Sequence, residues 1–258
     1  MRRVFFYAGK SDIIFLCFFR KGGGKLKTDF LKGIRDGIPI CLGYLSVSFG
    51  FGILAVGLGL SILSAVGISL TNLTSAGQVA GVGIIAAGGS LVEMALTQLV
   101  INIRYSLMGI SLSQKLDGNF NTMHRMIASF GITDEIFAVA VSQKSVSPFY
   151  MYGLTAISAL GWVSGTFLGA AAGNILPSSL SSAMGIVLYG MFLAIIIPPS
   201  KKEKSVLIAV LIAAFLSTVF EFVLKSVSGG FAIIICSVIS AAVCAVLFPV
   251  PEEKEAEE

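Results

Sequence analysis

The chain has 258 residues, of which 55% are apolar and only 12% charged, with a formal net charge of +4. That composition excludes a sizeable soluble domain. It also excludes a nucleic-acid module, because the cations sit beside apolar runs, where they orient a membrane protein. A hydrocarbon core of about 30 Å takes roughly 20 apolar helical residues, and the runs between Ile38 and Phe248 are too long and continuous for barrel strands. The expected architecture is all-α: a polytopic transmembrane bundle of seven to eight spans with short or broken helices.

Residues 1–27 form a basic arm, with Arg2, Arg3, Lys10, Arg20, Lys21, Lys25 and Lys27 around a short apolar stretch at 13–19. The stretch is too short to span and no small-residue cleavage site follows it. The arm reads as a membrane-surface segment or as the product of a start codon placed too far upstream, with Gly22-Gly23-Gly24 as a flexible joint. A transmembrane domain occupies 28–248, and residues 249–258 form an acidic tail.

Within the domain, Thr28-Asp29 can cap a first helix, Pro39 kinks it, and residues 40–58 make the first span. Residues 60–72 are apolar but short. Residues 78–101 read as a second full span, interrupted by Asn102-Ile103-Arg104-Tyr105. The runs 106–116 and 126–141 are short, and Thr133-Asp134-Glu135 breaks the latter. Long spans follow at 149–172, 180–197, 206–224 and 231–248. The cations place both termini, Lys144 and the Lys201-Lys202-Glu203-Lys204 loop in the cytoplasm, with the loops near Gly59 and Asn174 outside. If the short runs form a crossing pair, the count is eight. A single re-entrant run gives seven and conflicts with the Lys201–Lys204 cluster, so the even number is preferred.

A faint internal repeat appears at an offset of 118 residues: Gly43, Ser46, Phe49, Leu58, Ser61 and Gly67 coincide with Gly161, Ser164, Phe167, Leu176, Ser179 and Gly185, and Tyr44 faces Trp162. Duplicated halves recur in secondary transporters; small residues shared for helix packing give the same pattern. Cys17, Cys41, Cys236 and Cys244 lack ligand-like spacing and read as small hydrophobes. His124, beside Arg125, reads as a solvated flank and not a metal ligand, and no cofactor is implied.

The informative residues are polar ones at membrane depth. Ser75-Ala76-Gly77-Gln78 joins a short run to a long one, the pattern of a discontinuous helix whose new amino terminus can hold an anion such as an amino-acid carboxylate. Glu93 falls in the middle of the second span. It is either a buried acid held by hydroxyls or a proton or substrate site, and the functional reading is favoured. At helical spacing Glu93, Thr97 and Arg104 share a face about 16 Å long. Arg104, in Asn102-x-Arg104-Tyr105, can hold a carboxylate in a bidentate fork. Asp134, next to Glu135 and preceded by Gly131, is a natural partner for Arg104, as an ion pair or a gate. Glu221 and Lys225 read as an i, i+4 salt bridge.

The run Phe30-Leu31-Lys32-Gly33-Ile34-Arg35-Asp36-Gly37-Ile38-Pro39, with Gly43 and Phe49-Gly50, resembles the opening of the AzlC family of branched-chain amino-acid permeases. So do Ser75-Ala76-Gly77-Gln78, Asn102-x-Arg104-Tyr105 and Phe130-x-x-Thr133-Asp134-Glu135, and the likeness extends over about residues 28–248. The resemblance implies a multi-pass permease of a bacterial-type inner membrane. It further implies export of branched-chain amino acids or methionine, and a small hydrophobic AzlD-type partner subunit. From the residues themselves, a secondary transporter driven by the proton gradient is favoured. An intramembrane enzyme would need a nucleophile with its base or a metal set at membrane depth. A non-transporting assembly subunit would have no use for Glu93, Arg104 and Asp134 in the bundle.

Overall fold

The computed structural model describes residues 23–173, 190, 192–193, 196–224 and 227–249, and among these the chain is helical with no named strand. The order is α1 (Gly23–Gly57), α2 (Ile62–Thr71), α3 (Ser75–Ala86), α4 (Leu91–Ser113), α5 (Thr122–Ser129), α6 (Asp134–Val141), α7 (Pro148–Ala172), α8 (Lys204–Phe222) and α9 (Gly229–Leu247). Four helices are long and apolar enough to cross a membrane: α1 over Leu26–Gly57, α7, α8 and α9. The span expected at 180–197, the basic arm, the acidic tail and Lys225 fall wholly or mostly outside the described residues.

The chain separates into two compact units. The first holds the described residues up to Leu42 with Met108–Leu160, and the second Gly43–Leu107 with the described residues from Gly161 onward. Within each unit α1 and α7 run parallel, in glycine-mediated backbone contact. In the first, a methyl group on Gly33 would strike the Tyr150 carbonyl, and one on Gly153 the carbonyl of Phe30. In the second, Gly165 abuts Leu45 and Ser48, Gly169 abuts Phe49, and Tyr44 meets the Trp162 ring edge-on at 5.3 Å. Tyr44 and Trp162, aligned at the offset of 118, thus face each other across two parallel helices. Leu176, Ser179 and Gly185 of the expected repeat lie outside the described residues.

The short helices are arranged as hairpins. In the second unit α2 and α3 fold back on each other: Ala65 shares a core cluster with Val82, Phe51, Ala55 and Ala170, and Ser69 is bonded to Gln78. This hairpin opens toward the carboxyl ends of α1 and α7. Its tip is Asn72-Leu73-Thr74, beside Trp162 and Thr166. In the first unit α5 and α6 also leave and return at one level. Asp117, before α5, and Val146, after α6, are joined by a backbone hydrogen bond of 2.9 Å, and Gly131 at the tip abuts Thr155 of α7. A polar cavity of about 170 Å³ lies at the open end, lined by Asp29, Lys32, Asp117 and Tyr150 among others.

Three sequence expectations are corrected here. Residues 78–101 are not one span, because α3 stops at Ala86. Gly88 takes φ +67, the Gly89 N–H donates to Ile84 O and the Gly88 N–H to Ile85 O, a Schellman stop in which only glycine sits without strain. Ser90 then starts α4 by accepting the Glu93 N–H. Asn102-Ile103-Arg104-Tyr105 does not interrupt a helix but lies inside α4, where Asn102 bonds Gln98 one turn back. His124 is no solvated flank: it is half-buried, its Nδ1 2.5 Å from the Tyr152 hydroxyl, with Phe120 and Phe149 around the ring.

Candidate functional site

The site is assembled in the second unit where α2 ends and α3 begins. Asn72 Oδ1 accepts the Thr74 N–H at 2.8 Å, and Thr74 Oγ1 accepts the Gly77 N–H at 3.0 Å, so two local side-chain bonds stop one helix and start the next. Neither cap reaches the first N–H groups of α3, at Ser75 and Ala76, which a helix leaves without intrahelical partners. They carry the partial positive charge of the helix start. Against this turn lies α4, antiparallel to α3. Gln98 Nε2 donates to the Gly77 carbonyl at 2.8 Å, and Asn102 Nδ2 donates to Gln98 Oε1 at 3.1 Å. A methyl on Gly77 would strike Thr74 Oγ1 and come within 2.6 Å of Gln98 Oε1, displacing side chains that bond this turn. Asn102 Oδ1 is buried with no hydrogen-bond partner among the described residues, which leaves an acceptor beside the start of α3.

Gln78 is 2% exposed and its amide is committed: Nε2 donates to Ser69 and Oε1 accepts from Trp162. It therefore ties the start of α3 to α2 and α7. Glu93 is not in mid-span but in the first turn of α4, 4% exposed. Its Oε1 accepts from the Ser228 hydroxyl and, at 3.1 Å, from the Gly230 N–H. The carboxylate thus caps α9 from a neighbouring helix, filling a position that the Ser228 side chain leaves open. The wholly buried hydroxyl of Thr97, one turn along α4, has no partner among the described residues.

Arg104 lies further along α4 with its guanidinium 5.0 Å from the Tyr105 ring centroid. Asp134 and Glu135 form the first turn of α6, which Thr133 caps. They belong to the first unit, whereas Gln78, Glu93, Asn102 and Arg104 belong to the second. The sequence reading missed Gln98, Trp162, Ser69, Ser228 and Gly230 as members of the constellation. A lone tryptophan at the middle of a glycine-rich span was the available signal for one of them; Ser228 and Gly230 join Glu93 only through tertiary packing.

Four helices long and apolar enough to cross a bilayer, in a chain that is helical throughout its described residues, define a helical membrane protein. The family model for AzlC protein matches residues 39–176, and the chain belongs to the AzlC family. It is 29% identical over 234 residues to the inner membrane protein YgaZ of Escherichia coli, covering 87% of this chain and 94% of that protein. An uncharacterized membrane protein of Archaeoglobus fulgidus is 34% identical over 174 residues, covering 67% and 76%. The branched-chain amino acid transport protein AzlC of Bacillus subtilis is 24% identical over 171 residues, covering 65% and 66%. No solved structure matches the chain significantly.

Proposed function

We propose that this protein is a permease that exports branched-chain or other hydrophobic amino acids, coupled to the proton gradient and working with a small AzlD-like membrane subunit. The observation that carries the reading is the broken α2–α3 hairpin, in a chain related to a branched-chain amino acid transport protein. An amino-acid carboxylate docks on the N–H groups of Ser75 and Ala76, a helix start being an anion site. The ammonium group meets the unpartnered Asn102 Oδ1, and Arg104 on the same helix guides the anion. Glu93 is the proton carrier.

The topology that fits is six crossings, by α1, α4, α7, the segment near 180–197, α8 and α9. The α2–α3 and α5–α6 hairpins re-enter without crossing. The parallel course of α1 and α7 supports this, since an odd number of crossings must separate them. Both termini and the Lys201–Lys204 loop are then cytoplasmic, as the cations require.

The test is flux of labelled leucine, isoleucine, valine and methionine in membrane vesicles, with and without a proton gradient and with and without the partner subunit. Gradient-dependent accumulation of at least one of them is expected. Fluxes equal to those of vesicles lacking the protein, even with the partner present, would overturn the transport reading in favour of an assembly role. Full activity from the purified single chain would remove the partner requirement.

A further inference from the structure

Four buried, uncharged groups close a ring at the tip of the α2–α3 hairpin. Trp162 Nε1 lies 2.8 Å from Gln78 Oε1, and Gln78 Nε2 lies 3.1 Å from Ser69 Oγ. Ser69 Oγ is 2.8 Å from Thr166 Oγ1, which is 3.0 Å from the backbone carbonyl of Trp162. Ser69, Gln78, Trp162 and Thr166 are each at most 2% exposed, so no solvent substitutes for a missing member.

The direction of every bond follows from one group. An indole N–H donates and cannot accept, so the Gln78 amide must turn its oxygen to Trp162 and its NH₂ to Ser69. Ser69 therefore accepts from Gln78 and gives its own proton to Thr166, which donates to the Trp162 carbonyl. Ser69 stands in the last turn of α2 and Gln78 in the first turn of α3. The ring thus spans the helix break and ties both sides of it to α7. The Tyr44 ring, edge-on to the indole at 75°, restrains the tryptophan from α1.

We propose that Trp162 is a positioning residue for the amino-acid site. Acting through Gln78, it fixes the first turn of α3 and so the place of the Ser75 and Ala76 N–H groups that receive the substrate carboxylate. This rests on the transport reading above. The ring members touch no substrate; they set where the donors stand.

Leucine transport kinetics in vesicles, with the full-length chain, test it. Trp162→Phe, Ser69→Ala and Thr166→Val each break the ring, and each should raise KM about tenfold, the effect of losing one buried hydrogen-bond partner, while kcat stays within about twofold. Thr166→Ser keeps the hydroxyl and should keep the wild-type KM. The Trp162→Phe, Ser69→Ala double variant should be no worse than either single one, because the ring is already open. An unchanged KM in Ser69→Ala and Thr166→Val, with only protein yield or thermal stability lowered, would overturn the proposal. A second readout needs no variant: Trp162 is the only tryptophan of the chain. Its emission in the purified wild-type protein should change saturably with leucine, with a midpoint that follows KM, and flat emission would equally overturn the proposal. A wild-type protein that moves no amino acid removes the transport reading and this inference together. Wild-type transport with unaltered variant KM removes the inference alone.

Discussion

Glu93 shows how a carboxyl group is held at low exposure by donors on a neighbouring helix. Its Oε1 takes a hydroxyl and a backbone N–H at the start of α9, where the helix supplies partial positive charge. A methyl at position 230 would come within 2.5 Å of Glu93 Oε1 and 2.9 Å of Thr97 Oγ1. Gly230→Ala should therefore expel the carboxylate from the cap and destabilise the protein by roughly 1.5–3 kcal/mol, the worth of hydrogen bonds to a charged group. The measurement is denaturant unfolding in mixed micelles. Glu93→Gln retains an oxygen able to accept from Ser228 and Gly230 but cannot titrate. It should preserve substrate exchange and abolish gradient-driven accumulation. If uphill transport persists with the same pH dependence, Glu93 is only a cap and the proton role passes to Asp134 or Glu135.

At the scale of elements, two kinds of glycine do different work. Gly88 must be glycine for its backbone, at φ +67, although nothing lies within 4 Å of where its Cβ would be. Gly83, inside α3, has equally open surroundings and an ordinary helical conformation. Gly88→Ala should cost about 1–2 kcal/mol, the penalty of the left-handed region. Gly83→Ala should be neutral or stabilising by up to about 1 kcal/mol. The same unfolding assay reads both, and equal effects would refute the assignment of the Schellman stop. The glycines between α1 and α7 differ again, since there a side chain meets backbone. Gly153→Leu should prevent accumulation of folded protein, while Gly43→Leu, in open space on α1, should be tolerated.

For the molecule as a whole, the decisive question is whether the short helices cross. A cysteine introduced at Leu60, before α2, and another at Ala87, after α3, should be labelled by an impermeant thiol reagent from the same, external side. One at Asn119, before α5, should react only from the cytoplasmic side. The native cysteines Cys17, Cys41, Cys236 and Cys244 are first replaced. If the cysteine at position 87 instead reacts from the cytoplasm, α2 and α3 form one crossing and the re-entrant reading fails. Reporter fusions at Lys201 and the carboxyl terminus should both report cytoplasm.

The membrane class, the helical content, the long apolar spans and the family likeness were all legible in the residues, because they depend on local hydropathy and motif spacing. The span read at 149–172 became α7 at Pro148–Ala172, and that at 231–248 became α9 at Gly229–Leu247. The breaks read at Ser75-Ala76-Gly77-Gln78 and at Thr133-Asp134-Glu135 both fall at helix starts, since capping is a bond between near neighbours. The stop at Gly88 was not legible, because a glycine pair that ends a helix looks like one that packs it. Tertiary structure alone decided that α2 and α3 turn back, which rests on Ala65 meeting Val82 and Ser69 meeting Gln78. It alone placed Glu93 under α9 and closed the ring from Trp162 through Gln78 and Ser69 to Thr166. Those bonds join residues up to 137 positions apart, and no local pattern constrains which distant donor a buried acceptor will find.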